Sequence, residues 1–212
     1  MALGAGLRRD IWDKFQDGCR IPLIAELYTA TEGLGGMCNL CTREDYESRG
    51  AAGFQGPILT TVLKYKLVKF DYDNDEPYRN EHGFCELAEP GVAGELLCPA
   101  TKSDPLKTFD GYTCDKSTSK KILKNVFREG DAWFRSGDLL RRDSAGRYFF
   151  EDRVGDTFRW KGENVATIQV ADVCTTVLGE SANVYGVIVA GCEGRAGMVA
   201  IPSVEVSANL RD

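Results

Sequence analysis

Three short polar runs in this sequence border apolar stretches: Tyr28-Thr-Ala-Thr-Glu-Gly33, Ser136-Gly-Asp138 and Asp152-Arg-Val-Gly-Asp-Thr-Phe-Arg-Trp-Lys-Gly-Glu-Asn-Val165. They set hydroxyls, carboxylates and arginines at the ends of strands, where α/β proteins gather their ligands. Taken one at a time, each also reads as a turn or a solvated linker. Met37-Cys-Asn-Leu-Cys41 offers a second chemistry, since a CxxC pair can be half a zinc site or a redox couple. A tetrahedral site needs a second pair or histidines, and the single histidine, His82, sits beside Gly83 in a polar stretch. His82 therefore reads as an exposed loop residue, and the cysteines as buried, reduced thiols.

The elements that must position these runs follow from periodicity. Leu7, Ile11, Trp12 and Phe15 have helical spacing with Gly18 as a stop, and Ile21 to Leu27 reads as a buried strand. Short apolar runs from Ile58 to Val68 and at Glu95 to Cys98, divided by Gly, Pro, Asn and Asp, predict a β-rich middle. Ser117 is placed to cap a helix carrying Ile122, Leu123, Val126 and Phe127, with Gly130 past its end. Asp143-Ser-Ala-Gly146 lies between Leu139-Leu140 and Tyr148-Phe-Phe150 and predicts a hairpin. Beyond it, Thr167 to Leu178 reads as a helix closed by Gly179, with strands at Val184 to Ala190 and Met198 to Ile201. The fold class expected is α/β with a β-rich subdomain and an α+β C-terminal part.

Composition narrows the function. With 212 residues, 43% hydrophobic and 27% charged, the chain has globular composition, and 26 basic against 32 acidic residues give a net charge of −6. That balance repels polyanions, so no nucleic acid partner is expected. No apolar run reaches the roughly 18 residues of a membrane span. The stretch from Met1 to Phe15 carries Arg8, Arg9, Asp10 and Asp13 where a secretory signal has its apolar core, which predicts a cytosol-facing chain.

Taken together and in order, the three runs resemble the adenylate-forming superfamily, and within it the fatty acid transport protein and very-long-chain acyl-CoA synthetase family. Gly137-Asp138, Asp143 to Gly146, Asp152-Arg153 and Gly155 to Val165 are similar to that family's signature. Phe158-Arg-Trp-Lys-Gly-Glu-Asn164 is the most specific part. The likeness extends through Leu7-Arg8, Gly50 to Gly53, Tyr65 to Val68, Pro90 to Glu95, Phe109 to Tyr112 and Glu193 to Met198. Ser136 stands where threonine is commoner, and Ala5 where the family has asparagine.

The resemblance implies a reaction in which a fatty acid carboxylate is activated by ATP as an acyl-adenylate and then captured by CoA. It implies Glu32 as the Mg²⁺ ligand, a hard oxygen donor for a hard cation, and Thr31 as a phosphate contact; these two are the catalytic candidates. Tyr28 is implied to pack on adenine, Asp138 to accept from the ribose hydroxyls, Arg153 to grip the ribose, and Gly162 to border the pantetheine arm of CoA. Gly155 falls at the hinge about which the family's C-terminal domain swings. Residues 1–152 would be the C-terminal portion of the AMP-binding domain, β-rich from about 50, and 153–212 the beginning of the mobile C-terminal domain.

The sequence contains no Ser/Thr/Gly-rich phosphate loop ending in Pro-Lys, and it stops before the position of the family's C-terminal lysine. The expectation is a partial ligase, inactive on its own, whose strand near Ile21 to Leu27 lacks neighbours and favours self-association or a complementing chain. Membrane association would arise only through regions absent here, and complete relatives belong at the endoplasmic reticulum or plasma membrane. The competing readings are a noncatalytic interaction remnant and a CxxC redox or zinc module.

Overall fold

The computed structural model describes residues 1–29, 36–100, 121–160, 163–190 and 195–202. Two compact units divide the chain: Met1–Asp71 with Glu76–Phe150, and Tyr72–Asp75 with Glu151–Asp212.

The first unit begins with β1 (Ala2–Gly4), a 3-10 turn over Arg9–Ile11 and helix α1 (Trp12–Gly18). Trp12 and Gln16, four apart on α1, face inward and are buried. β2 (Leu23–Thr29) pairs in parallel with β1 and antiparallel with β3 (Gly36–Thr42). The expectation that the strand near Ile21 to Leu27 lacks neighbours is therefore overturned: β2 is the central strand of its sheet. Its run of Ile24, Ala25 and Glu26 is buried because both faces are covered.

A six-stranded sheet follows the order β4-β11-β10-β8-β5, with β9 also on β10. Its strands are β4 (Ala51–Phe54), β5 (Lys66–Val68), β8 (Ala93–Pro99), β9 (Ile122–Lys124), β10 (Ala132–Arg142) and β11 (Arg147–Arg153); β6 (Phe70–Asp71) and β7 (Glu76–Pro77) form a small ladder apart. Tyr28 and Met37 join Tyr65, Leu67, Leu96, Phe134, Leu140 and Tyr148 in one core cluster that knits the two sheets together. Gly53 is required there, because a Cβ on it would run into the Met37 side chain. The hairpin between β10 and β11 forms as expected, with the Asp143 carboxylate accepting from the Ala145 and Arg147 amides.

Two local expectations fail here. Ile58 to Leu63 belong to a helix, α2 (Pro57–Leu63), with Pro57 in its first turn and Lys64 closing it at φ +58°. The hydroxyls of Thr60 and Thr61 bond back to the Gly56 and Pro57 carbonyls, a helical arrangement that competes with a strand. Conversely, Ile122 to Lys124 form β9 instead of helix, while Ser117 lies outside the described residues. Tertiary partners take the groups that a helix would use. Asp131 accepts from the Val126 and Phe127 amides at 2.6 and 3.1 Å, the Cys85 amide donates to the Val126 carbonyl, and Arg79 donates to the carbonyls of Lys124 and Asn125.

In the second unit, β12 (Phe158–Trp160) pairs with β13 (Glu163–Val165), helix α3 (Thr167–Leu178) follows, and β14 (Asn183–Ile188) pairs with β15 (Arg195–Ala200). Gly179 ends α3 at φ +73°, as its place after the apolar pattern predicted. Phe158 is the buried centre of this unit, its side chain lying against Gly186 of β14 and Gly197 of β15.

Candidate nucleotide site

Tyr28 stands at the carboxyl end of β2, the end from which the chain also leaves the parallel strand β1. Asp138 lies on β10 where the register with β8 shifts between Arg135 and Leu139, and Gly137 takes φ +78°. A bulge of this kind re-aims the next side chain. Ser136 Oγ accepts from the Asp138 amide at 3.1 Å and fixes the bend. The result is a hydrogen bond of 2.6 Å from the Tyr28 hydroxyl to Asp138 Oδ2, between residues 110 apart in sequence. Burial, and next the Asp138 charge, hold the Tyr28 phenol far above the ordinary tyrosine range, so it stays a donor. Beneath it, the Tyr65 hydroxyl accepts from the Gly36 amide at 3.0 Å. The pair thus presents a carboxylate backed by a protonated phenol, an acceptor suited to binding hydroxyls.

Thr31, Glu32 and Gly162 lie outside the described residues. Arg153 and Gly155 belong to the second unit. Arg153 is exposed at the end of β11, and Gly155 takes φ +91° in a turn where an added Cβ would meet nothing within 4 Å. Tyr28 and Asp138 are therefore the two named residues that the described structure joins. Among the described residues, no group of three or more His, Cys, Asp or Glu side chains could hold a metal ion.

Sequence reasoning passed over two carboxylates. Asp152, within the Asp152-Arg153 pair, is buried and accepts from the Thr167 amide at 2.7 Å, the Thr157 hydroxyl at 3.0 Å and the Arg153 amide at 2.9 Å. It ties β11 to the start of α3. Glu95 is fully buried and bound in bidentate fashion by Arg135, at 2.7 to 3.2 Å. Burial works against the Arg135 charge, but the Glu95 carboxylate outweighs it and strengthens the guanidinium's hold on its proton. A charged residue inside the apolar run Glu95 to Cys98 was the available signal for this pair.

Cys38 and Cys41 do not form a pair. Three residues apart on β3, they point to opposite faces: Cys38 is exposed, and Cys41 is buried with Trp12 and Ile24. The expectation of buried thiols at this pair holds for Cys41 and fails for Cys38; elsewhere Cys85 and Cys98 are buried and Cys19 is exposed. His82 is exposed, as expected.

No protein-family model matches the chain. Mouse (Mus musculus) long-chain fatty acid transport protein 1 is 45% identical over 203 residues, covering 95% of this chain and 30% of that protein. Rat (Rattus norvegicus) long-chain fatty acid transport protein 2 is 44% identical over 207 residues, covering 97% and 32%. Its sequence relatives are the fatty acid transport proteins. The chain spans about a third of the length of these curated relatives. Among solved structures, unliganded O-succinylbenzoate coenzyme A synthetase of Bacillus subtilis matches with TM-score 0.65 at 18% identity, covering 98% of this chain and 38% of that one. The same enzyme in complex with ATP and magnesium ion matches with TM-score 0.62 at 20% identity, covering 94% and 35%. The fold is part of the adenylate-forming synthetase fold, as the resemblance to the fatty acid transport protein family implied. Among the described residues, no helix is long and apolar enough to cross a membrane.

Proposed function

We propose that the full-length protein containing these residues is an AMP-forming ligase that joins long or very long fatty acids to CoA. The fatty acid carboxylate attacks the α-phosphorus of ATP, the α–β anhydride bond breaks and pyrophosphate leaves. The CoA thiol then attacks the acyl carbonyl and gives up its proton, and AMP departs. The observation that carries this reading is the Tyr28–Asp138 contact, which brings together two residues that the family resemblance assigns to one nucleotide.

In this reading Asp138 accepts from the ribose hydroxyls, Tyr28 packs on adenine and Arg153 contacts the ribose. Thr31 contacts a phosphate. Glu32 would hold Mg²⁺, which when bound offsets charge on the departing pyrophosphate. Gly162 borders the pantetheine arm and Gly155 serves as hinge, a role compatible with its positive φ and open surroundings. Residues 1–152 are then the end of the AMP-binding domain and 153–212 the start of the mobile domain. Without a phosphate loop in the sequence, these 212 residues alone are proposed to lack ligase activity and to need a complementing chain or the rest of their own. The full-length protein is proposed to face the cytosol at the endoplasmic reticulum or plasma membrane, attached through residues other than these.

The test is turnover of the full-length protein with ATP, Mg²⁺, CoA and a panel of carboxylic acids. Long-chain fatty acids should be preferred, and Asp138→Ala and Glu32→Ala should each lower turnover by roughly a hundredfold, the scale of a lost positioned electrostatic contact. Preference for aryl or amino acids, or near-normal turnover of Asp138→Ala, would overturn the reading.

A further inference from the structure

We propose that Glu26 is a positioning residue for the nucleotide site, holding in place the loop that leaves β1 at the same sheet end as Tyr28; the inference rests on the ligase reading above. Glu26 lies within β2 and is 3% exposed. Its two carboxylate oxygens are divided between successive backbone donors, Oε1 accepting from the Leu7 amide at 2.7 Å and Oε2 from the Gly6 amide at 3.1 Å. Gly4, the last residue of β1, is the register partner of Glu26, so the loop turns back over the strand it has just paired with. Gly6 takes φ +80° to do so, a conformation that favours glycine and directs two amides to one acceptor.

The position of Glu26 connects this loop to the site. Residues two apart on a strand share a face, so Glu26 and Tyr28 stand side by side on β2, about 7 Å apart along the strand. The loop that Glu26 holds leaves β1 at the carboxyl end of the parallel pair β1–β2, the end at which Tyr28 stands and at which α/β sheets take their ligands. Two acceptors are needed, because each of the two amides takes its own oxygen. A glutamine in this position would keep one acceptor and turn an amino group toward the other N–H. Burial raises the Glu26 carboxyl above the ordinary range even though the two amides oppose it, as expected for a carboxylate retained inside a sheet for the contacts it makes.

The experiment compares wild type and Glu26→Gln in the full-length protein by two readouts. Hydrogen exchange at the Gly6 and Leu7 amides should quicken by roughly tenfold, the equivalent of one lost hydrogen bond to a charged group. In fatty-acid-dependent pyrophosphate release, the KM for ATP should rise by roughly tenfold while kcat stays within about threefold, the pattern of lost binding with chemistry intact. Faster exchange with an unchanged KM for ATP would reduce Glu26 to a purely structural tie, and unchanged exchange would remove the tie itself; either result overturns the proposal. A wild-type protein that binds ATP but releases no pyrophosphate with any fatty acid overturns the ligase reading alone, and the dissociation constant for ATP then replaces KM in the same comparison. Should Glu26→Gln not accumulate folded, Glu26→Asp keeps both acceptors on an arm one methylene shorter and carries the same readouts with a smaller shift.

Discussion

In the first unit Leu96 and Leu97, neighbours on β8, are both fully buried, one in each of two clusters on opposite faces of the sheet, whereas in the second Val173, Val177 and Ile188 stand 64%, 78% and 81% exposed. A strand covered on both faces has no solvent side on which to put polar groups, so those it contains are partnered inside. Glu95 meets Arg135, and Glu26 meets two backbone amides. The second unit concentrates its order in Phe158 and in the Asp152 carboxylate, and leaves much of its helix and hairpin open. The candidate pair Tyr28 and Asp138 is thus anchored through Tyr28 in a closed core, while the polar run after Asp152 rests on a few contacts. Substitutions in the full-length protein can break or sharpen this contrast.

The largest effect is expected at Glu95. Glu95→Ala would leave the Arg135 guanidinium, 16% exposed at its side chain, as an uncompensated charge beside the core. Loss of one partner of such a pair costs about 3–5 kcal/mol. The denaturant midpoint should drop accordingly, and a shift of under about 1 kcal/mol would mean that the first unit is less tightly sealed than its burial indicates.

In the second unit the strongest response should come from Gly186. A Cβ there would lie 2.5 Å from the Phe158 Cβ, which is fixed to the backbone and cannot swing aside. Gly186→Ala is expected to destabilise by about 1–3 kcal/mol, the range for overpacking. A neutral result would show that the hairpin of β14 and β15 slides over Phe158 at little cost, which would widen the contrast between the units.

The residues around Asp131 show why parts of the fold could be read from sequence and others could not. Helix α3 and the hairpin at Asp143 were legible because local pattern and local cap agree: Gly179 closes the helix, and Asp143 binds the amides two and four residues on. Ile122 to Phe127 has a helical pattern, yet the groups that unwind it come from Arg79, Cys85 and Asp131, two of them about 40 residues upstream. The site divides in the same way. Tyr28 and Asp138 could be named through family resemblance, but the hydrogen bond between them depends on the bulge at Gly137, which no spacing announces.

Asp131 also gives a pH prediction. Burial pushes its carboxyl up, but the Phe127 and Val126 amides and the Trp133 indole N–H outweigh that and leave it below its ordinary value of 3.8. A carboxylate lowered on folding contributes stability above its unfolded value and loses it as pH falls through the folded one. Asp131→Asn should therefore be less stable than wild type at neutral pH, by about 1 kcal/mol. The gap should close progressively below pH 3.8, as read from thermal midpoints across an acid series. A gap independent of pH would assign the loss to shape and not to charge.

The smallest effect is expected on the open face of α3. Val173 and Val177 are four apart and share one side of the helix, at 64% and 78% exposure. Val177→Ser removes little buried area, so its stability change should stay within about 0.5 kcal/mol, as for surface positions generally. An exposed apolar stripe is also a site for association, so the same substitution should lower the apparent mass seen by light scattering at high concentration. A loss above about 1 kcal/mol would instead mean that other residues of the full-length protein cover this face, because only a buried valine yields that much on truncation. The second unit would then gain from such a covering segment the closure that the first unit draws from its own two-sided sheet, and the contrast would belong to these 212 residues and not to the protein.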